Sequence, residues 1–316
     1  MNDHSDAPYV DPEIAAIMRE MAAAGLPDIS SLPIERARAQ VVETNAPWNL
    51  PRVPLPQVRD LEIQGAAGAV RLRHFGPTDA RELPVIVYLH GGGWTLCSLD
   101  THGRLMRLLA KETGAAVLGV DYRLAPEHPY PAPLDDCLAA VRWTRRQGPE
   151  KGLDPERMVL AGDSAGANLA LATLLALRDR GDPLPRGGAL YYGSYWSRQD
   201  TPSHLRLGDG AYQLSTAQMA WFWSNYLGTT PPGDPLAEPL YADMRGLPPL
   251  FLNAAALDPL LEDSIELDER LEAGGVEHDL RIYPGLIHAF MRLTSRCKAA
   301  RRALDDAAGA IRAMLA

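Results

Sequence analysis

Arg157-Met158-Val159-Leu160-Ala161-Gly162-Asp163-Ser164-Ala165-Gly166-Ala167-Asn168-Leu169-Ala170 is the stretch that decides the fold. It begins as a short apolar run, passes through small residues, and continues as an alanine- and leucine-rich segment to Arg178. An apolar run of this length closed by glycine predicts a buried strand over Arg157–Gly162, and the second half predicts a helix over Gly166–Arg178. Gly162–Gly166 must then turn the chain, and it matches G-x-S-x-G. Such a turn pushes the serine hydroxyl out at the sheet edge, and the flanking glycines let backbone cross backbone without side-chain clash. The following helix N-terminus offers N–H groups to developing negative charge. A small-residue turn without chemistry has the same letters; the strand–turn–helix context is what makes Ser164 a candidate nucleophile.

Upstream, Pro84–His90 is another continuous apolar run, a central strand, and it feeds directly into His90-Gly91-Gly92-Gly93-Trp94. Three glycines leave main-chain N–H groups free to approach a ligand oxygen, as an oxyanion site requires, though a flexible glycine turn would look the same. A nucleophilic serine needs a base and an orienting acid, and in this architecture they follow in the order Ser, acid, His. Asp258 stands just past the strand Leu250–Ala256, whereas its rivals Glu262 and Asp263 fall inside the next helix, so placement favours Asp258. Of the eight histidines only His278 and His288 follow it. His278 opens a strand, at the wrong end of the sheet; His288 lies beyond the end of the strand His278–Tyr283.

The remaining elements fit the same picture. Val58–Ile63 and Ala69–His74 predict a hairpin, Ala115–Tyr122 and Gly187–Tyr192 further strands, and helices alternate over His102–Thr113, Pro133–Gln147, Ser215–Leu227, Glu262–Ala273 and Arg296–Leu315. About eight strands, antiparallel first and then alternating with helices, imply a mostly parallel sheet covered on both faces. Two stretches break the alternation. Residues 1–50 predict helices over Asp11–Ala24 and Pro33–Val42, followed by a proline-rich connector over Pro47–Pro56, and residues 194–230 make a long excursion. The expected division is an N-terminal helical part over 1–50 and a catalytic domain over 51–316, with an insertion at about 194–230 completing a cap over the sheet edge where ligands bind.

The 316 residues are 46% hydrophobic, enough for one large α/β core, and carry a formal net charge of −9, which argues against nucleic acid and anionic membranes as partners. Gly and Pro, 27 each, fall short of the share that marks low-complexity disorder. Cys97, Cys137 and Cys297 share no metal-binding spacing, so no metal and no disulfide framework is expected. The acidic N-terminus, with Asp3, Asp6, Asp11 and Glu13, lacks the features of a secretory leader, and no apolar run spans a bilayer; a cytoplasmic location is expected.

Taken together, His90-Gly91-Gly92-Gly93-Trp94, Tyr122-Arg123-Leu124-Ala125-Pro126-Glu127-His128-Pro129, Gly162-Asp163-Ser164-Ala165-Gly166, Asp258-Pro259-Leu260 and His288-Ala289-Phe290 resemble the hormone-sensitive-lipase-like, or bacterial family IV, esterases of the α/β-hydrolase fold. The likeness covers the chain from about Pro84 to its end. It implies carboxylic-ester hydrolysis by Ser164, Asp258 and His288, with an oxyanion hole from the N–H groups of Gly91, Gly92 and Ala165. It implies no cofactor, a small-molecule ester as substrate, and a possible homodimer through an edge strand and its neighbouring helix.

Other residues carry plainer readings. His90 is expected to prop the glycine loop, Asp163 to hold the turn or that loop, and Asp121, Arg123 and Glu127 to form ion pairs behind it; Cys97 is expected to be passive. Nine of the 21 aromatic residues fall within Tyr191–Tyr226, either as packing for a cap helix or as the wall of a substrate pocket. The candidate pocket residues are Trp94, Tyr195, Trp196 and Tyr212. Here the chain departs from the family it resembles: Tyr192-Gly193-Ser194-Tyr195-Trp196 stands where relatives carry Tyr-Pro and small apolar residues. That departure motivates an alternative activity on the same triad, as a lactonase or an arylformamidase-type amide hydrolase. A receptor without catalysis is disfavoured because all three triad candidates are present, and a long-chain lipase because the acidic N-terminus offers no interfacial helix.

Overall fold

Two nine-residue strands open the sheet. β1 (Gln57–Gly65) and β2 (Gly68–Gly76) pair antiparallel down to Gly65 opposite Gly68, so the turn between them is only Ala66-Ala67. The computed structural model in which they are seen describes residues 8–316; the acidic opening with Asp3 and Asp6 lies outside the described residues.

Before β1 lie α1 (Pro12–Ala23) and α2 (Ile34–Asn45). Asp11 caps α1 through its side chain, with Pro12 at the first helical position, and Ile14 and Ile17 face inward. After the hairpin the chain alternates: β3 (Leu83–Leu89), α3 (Gly103–Thr113), β4 (Ala116–Asp121), α4 (Ala132–Gln147), β5 (Leu153–Asp163), α5 (Ala165–Asp179) and β6 (Gly187–Tyr191). The excursion that follows holds a one-and-a-half-turn helix, α6 (Pro202–Leu207), and α7 (Thr216–Leu227), before β7 (Leu250–Leu257), α8 (Leu261–Ala273), β8 (His278–Ile287) and α9 (Lys298–Leu315) complete the chain. The sequence predicts no element at α6, because six residues are too few to show a helical period.

All eight strands form one sheet in the order β1-β2-β4-β3-β5-β6-β7-β8. β2 runs antiparallel to β1 and β4, and every later pairing is parallel. Strands buried on both faces need apolar residues at nearly every position, and β3, β6 and β4 as far as Val120 supply them. One core layer joins the sheet to α4, α5, α7 and α8, the other to α1, α3 and α9. Because β3, β5, β7 and β8 are parallel, their C-terminal ends come to one edge, and each runs directly into a candidate residue: His90, Ser164, Asp258 and His288. β8 extends four residues past the expected end at Tyr283, with Gly285 at φ +73°, and this brings His288 flush with that edge.

Candidate active site

Ser164 occupies a backbone conformation, φ +55° and ψ −120°, that is strained for any residue but glycine. The surroundings force it. β5 ends at Asp163, α5 begins at Ala165, and the Ser164 N–H is held by the Tyr191 carbonyl at 2.8 Å. A Cβ at Gly166 would strike the Leu89 carbonyl, so the neighbouring strand passes where only hydrogen fits. The serine is thereby lifted to the sheet edge, with 8% of its surface exposed.

His288 Nε2 lies 2.9 Å from Ser164 Oγ, and His288 Nδ1 lies 2.7 Å from Asp258 Oδ2. A carboxylate only accepts, so a ring that gives its one proton to it from Nδ1 keeps the Nε2 lone pair for the serine hydroxyl. Asp258 is 1% exposed, and its other oxygen accepts the Leu260 N–H at 2.9 Å, which fixes the carboxylate plane. The rival acids are engaged elsewhere. Asp263 accepts the Tyr195 N–H at 2.7 Å and Glu262 the Ser203 N–H at 2.8 Å. Burial holds the Asp263 carboxyl well above the usual carboxylate range.

The glycine loop lies against this line of residues, and one expected donor needs correction. Gly91 donates its N–H to Asp163 Oδ1 at 2.9 Å and has none left for a ligand. The spacing of the motif identifies the loop, whereas this competing carboxylate arrives from 72 residues away. Gly92 and Gly93 have no acceptor for their N–H groups among the described residues, nor does Ala165 at the first position of α5. Gly92 and Gly93 adopt φ +119° and +57°, and a Cβ at Gly93 would enter the Phe222 ring.

Behind the loop sits a closed polar network. Asp163 also accepts from Tyr88 Oη at 2.7 Å and faces His102 Nε2 at 3.2 Å. Burial alone would raise its carboxyl; His102 and then Tyr88 outweigh it and hold Asp163 below the usual range. His90 stacks on Tyr122 at 4.4 Å, and its Nδ1 meets the Gly91 carbonyl at 2.8 Å. Burial and then His102 lower its pKa to about 4, so His90 is neutral and bound to the loop, away from Ser164. The outer ion pairs are Asp121 with Arg71 at 2.8 Å, Arg123 with Asp136 at 2.8 Å, and Glu127 with Arg38 of α2 at 2.7 Å.

The four candidate pocket aromatics do not form one wall. Trp94 has no exposed surface, stacks on Tyr226 at 4.2 Å and leans on Trp223 at 4.5 Å, so it fastens the loop to α7. Tyr195 is buried, and Trp196 carries the Arg198 guanidinium 4.8 Å from its ring centre. These three join the core layer of α7, whereas Tyr212 packs with the other layer. Sequence reasoning missed Tyr192, whose ring edge meets His288 at 5.1 Å and Phe290 at 5.0 Å; it reaches them through φ +37°, which no spacing shows.

One grouping of metal-ligand types appears among the described residues, Asp11, Glu13 and Cys297, and its two carboxylates have structural duties: Asp11 caps α1 and Glu13 accepts the Lys298 N–H. No helix among the described residues is long and apolar enough to cross a membrane.

Residues 86–292 match a family described as having the alpha/beta hydrolase fold. The chain is 36% identical over 275 residues to the carboxylic ester hydrolase LipN of Mycobacterium tuberculosis, covering 83% of this chain and 73% of that protein. It is 37% identical to the esterase LipI of the same organism, covering 84% and 86% of the two chains. Among solved structures, a hyperthermophilic esterase from the archaeon Pyrobaculum calidifontis superposes with a TM-score of 0.93 at 32% identity, over 98% of this chain and 100% of that one. With this edge geometry and these relatives, the chain belongs to the alpha/beta-hydrolase family, in its hormone-sensitive-lipase-like group of carboxylic ester hydrolases.

Proposed function

We propose that this chain is a serine carboxylesterase that cleaves short to medium acyl esters through an acyl-enzyme on Ser164. The observation that carries the proposal is the unbroken line Ser164 Oγ, His288, Asp258, with steps of 2.9 and 2.7 Å. Ser164 Oγ attacks the ester carbonyl as His288 Nε2 takes its proton, and Asp258 stabilises the imidazolium. The carbonyl oxygen gains negative charge opposite the N–H groups of Gly92, Gly93 and Ala165; one such donor is worth about 10²–10³ in turnover. Collapse expels the alcohol, which takes the proton from His288. Water, deprotonated by the same nitrogen, then releases the acid.

The fully engaged Gly91 supports this donor set, since its bond to Asp163 fixes the loop that carries the next two N–H groups. We read α1, α2, α6 and α7 as the cap. Supporting this, Arg38 of α2 reaches the carbonyls of Thr95 and Ala125, and Gln218 of α7 reaches Asp28 in the turn before α2. The aromatic residues on this side favour compact acyl groups over long chains.

The test is hydrolysis of p-nitrophenyl acetate, butyrate and longer esters, beside lactones and N-formyl aromatics. Ser164→Ala is expected to abolish turnover of the short esters, with kcat/KM highest for acetate to butyrate. Unchanged hydrolysis by the variant would sink the proposal, and higher kcat/KM for lactones or formamides would replace it.

A further inference from the structure

Between the Asn49–Val53 segment and the N-terminal end of α3 lies a cleft of about 300 Å³. Arg52, Arg73, Arg104 and Arg107 line it against one carboxylate, Asp100, with Phe75 in its wall. In a chain of net charge −9 this is a local reversal of sign.

Arg73 is neutralised, pairing with Asp60 at 2.6 Å and Asp100 at 2.5 Å. The other three have no carboxylate partner among the described residues. Arg104 donates to the Pro51 carbonyl at 3.3 Å and the Thr294 hydroxyl at 2.5 Å. Arg107 is 6% exposed; it donates through Nη1 to the Val53 carbonyl at 3.1 Å, and its guanidinium stands 5.4 Å from the Phe75 ring centre. Its other N–H groups have no acceptor among the described residues, and the side chain lines the open cleft. Folding a guanidinium into the protein without a counter-charge is costly, and neighbouring cations add repulsion. Burial and then Arg52 and Arg73 depress the Arg107 pKa; burial and then Arg301 do the same for Arg104. Guanidinium keeps its proton regardless, so an anion in the cleft would offset this uncompensated positive charge. The helix dipole of α3 adds positive potential at the same end.

We propose that this cleft binds a phosphate-class oxyanion, held by Arg52, Arg104 and Arg107, at a site separate from Ser164. Three convergent guanidinium groups match a multiply charged tetrahedral anion, whereas a lone carboxylate satisfies one fork. The same chemistry arrives as free phosphate or as a phosphate monoester, and the Phe75 wall gives room for an organic group in the second case. The assignment is independent of the reaction at Ser164.

The test is calorimetric titration of the full chain at low ionic strength with inorganic phosphate, phenyl phosphate and acetate. Expected is saturable one-to-one binding of phosphate that survives fluorophosphonate labelling of Ser164. Arg52→Gln, on an exposed segment, and Arg104→Gln should each weaken it about tenfold, the size of one lost charge-assisted bond. Tighter binding of phenyl phosphate assigns the monoester as the natural source, and equal binding assigns the free ion. No saturable binding, loss of binding on labelling Ser164, equal affinity for acetate, or unchanged affinity in both variants overturns the proposal. Because Arg52 is exposed and contributes no packing, its variant decides the matter even if Arg104→Gln does not fold.

Discussion

Asp163 precedes the proposed nucleophile by one position, yet its carboxylate serves the other half of the site. It holds the Gly91 N–H, the Tyr88 hydroxyl and His102 at once, and so ties the serine turn to the loop bearing the proposed oxyanion donors. Asp163→Asn keeps the size and removes the charge, presenting an NH₂ group where one of these partners needs an acceptor. The expected result is a kcat about 10²-fold lower with KM little changed, and about 2–4 kcal/mol less stability in urea unfolding. Lost stability with intact kcat would reduce Asp163 to a purely structural role. Its position shows how far letters reach. Ser164 stood out through its strand–turn–helix motif, Asp258 through its place just past a strand, and His288 through chain order alone, since the strand before it is expected to stop at Tyr283 and in the structure runs to Ile287. Which N–H of the glycine loop is free was illegible, because the answer depends on where a carboxylate from a distant turn has placed its oxygens.

At the scale of elements, α7 shows the same limit. Its expected bounds, Ser215–Leu227, agree with the helix to within one residue, and in the structure Ser215 and Gln218 form a reciprocal capping box while Gly228 closes the end. Its faces were not, because Trp221, Phe222, Trp223 and Tyr226 leave no polar stripe. In the fold, Phe222 covers Gly93 while Trp223 and Tyr226 clasp Trp94, so the helix acts as a backing plate for the glycine loop. Phe222→Ala should cost about 3–5 kcal/mol through the cavity it leaves. It should also lower kcat more than it raises KM, since the freed loop no longer holds its donors in place. Steady-state kinetics on p-nitrophenyl butyrate beside thermal unfolding separates the two effects; a change confined to KM would place Phe222 in substrate binding instead.

For the molecule as a whole, buried histidines contribute to the response to acid, and burial lowers the pKa of His204 in the same direction as those of His74 and His90. His74 and His90 both titrate at about 4 in the folded state, below the ordinary 6.5, because burial disfavours their charged forms, with Arg59 and His102 respectively adding repulsion. Between those values the unfolded chain binds the proton and the folded one does not. Their contribution is therefore complete above pH 6.5 and drains away as the pH falls toward 4, on the order of 3 kcal/mol for each ring. Denaturant midpoints measured from pH 7 to pH 4 should fall across that window. His74→Leu should flatten the fall, and an unchanged slope would mean that His74 is protonated in the native state.

The docking of α1 has a consequence for how the chain is made. Its partners lie near the other terminus: Glu20 pairs with Arg296, 276 residues away, and Glu13 accepts from Lys298, 285 residues away. A ribosome releases this helix some 276 to 285 residues before its berth. The sheet can begin to assemble during synthesis, but this helix must hang unseated, its Ile14 and Ile17 bare, until the segment around Arg296 and Lys298 emerges.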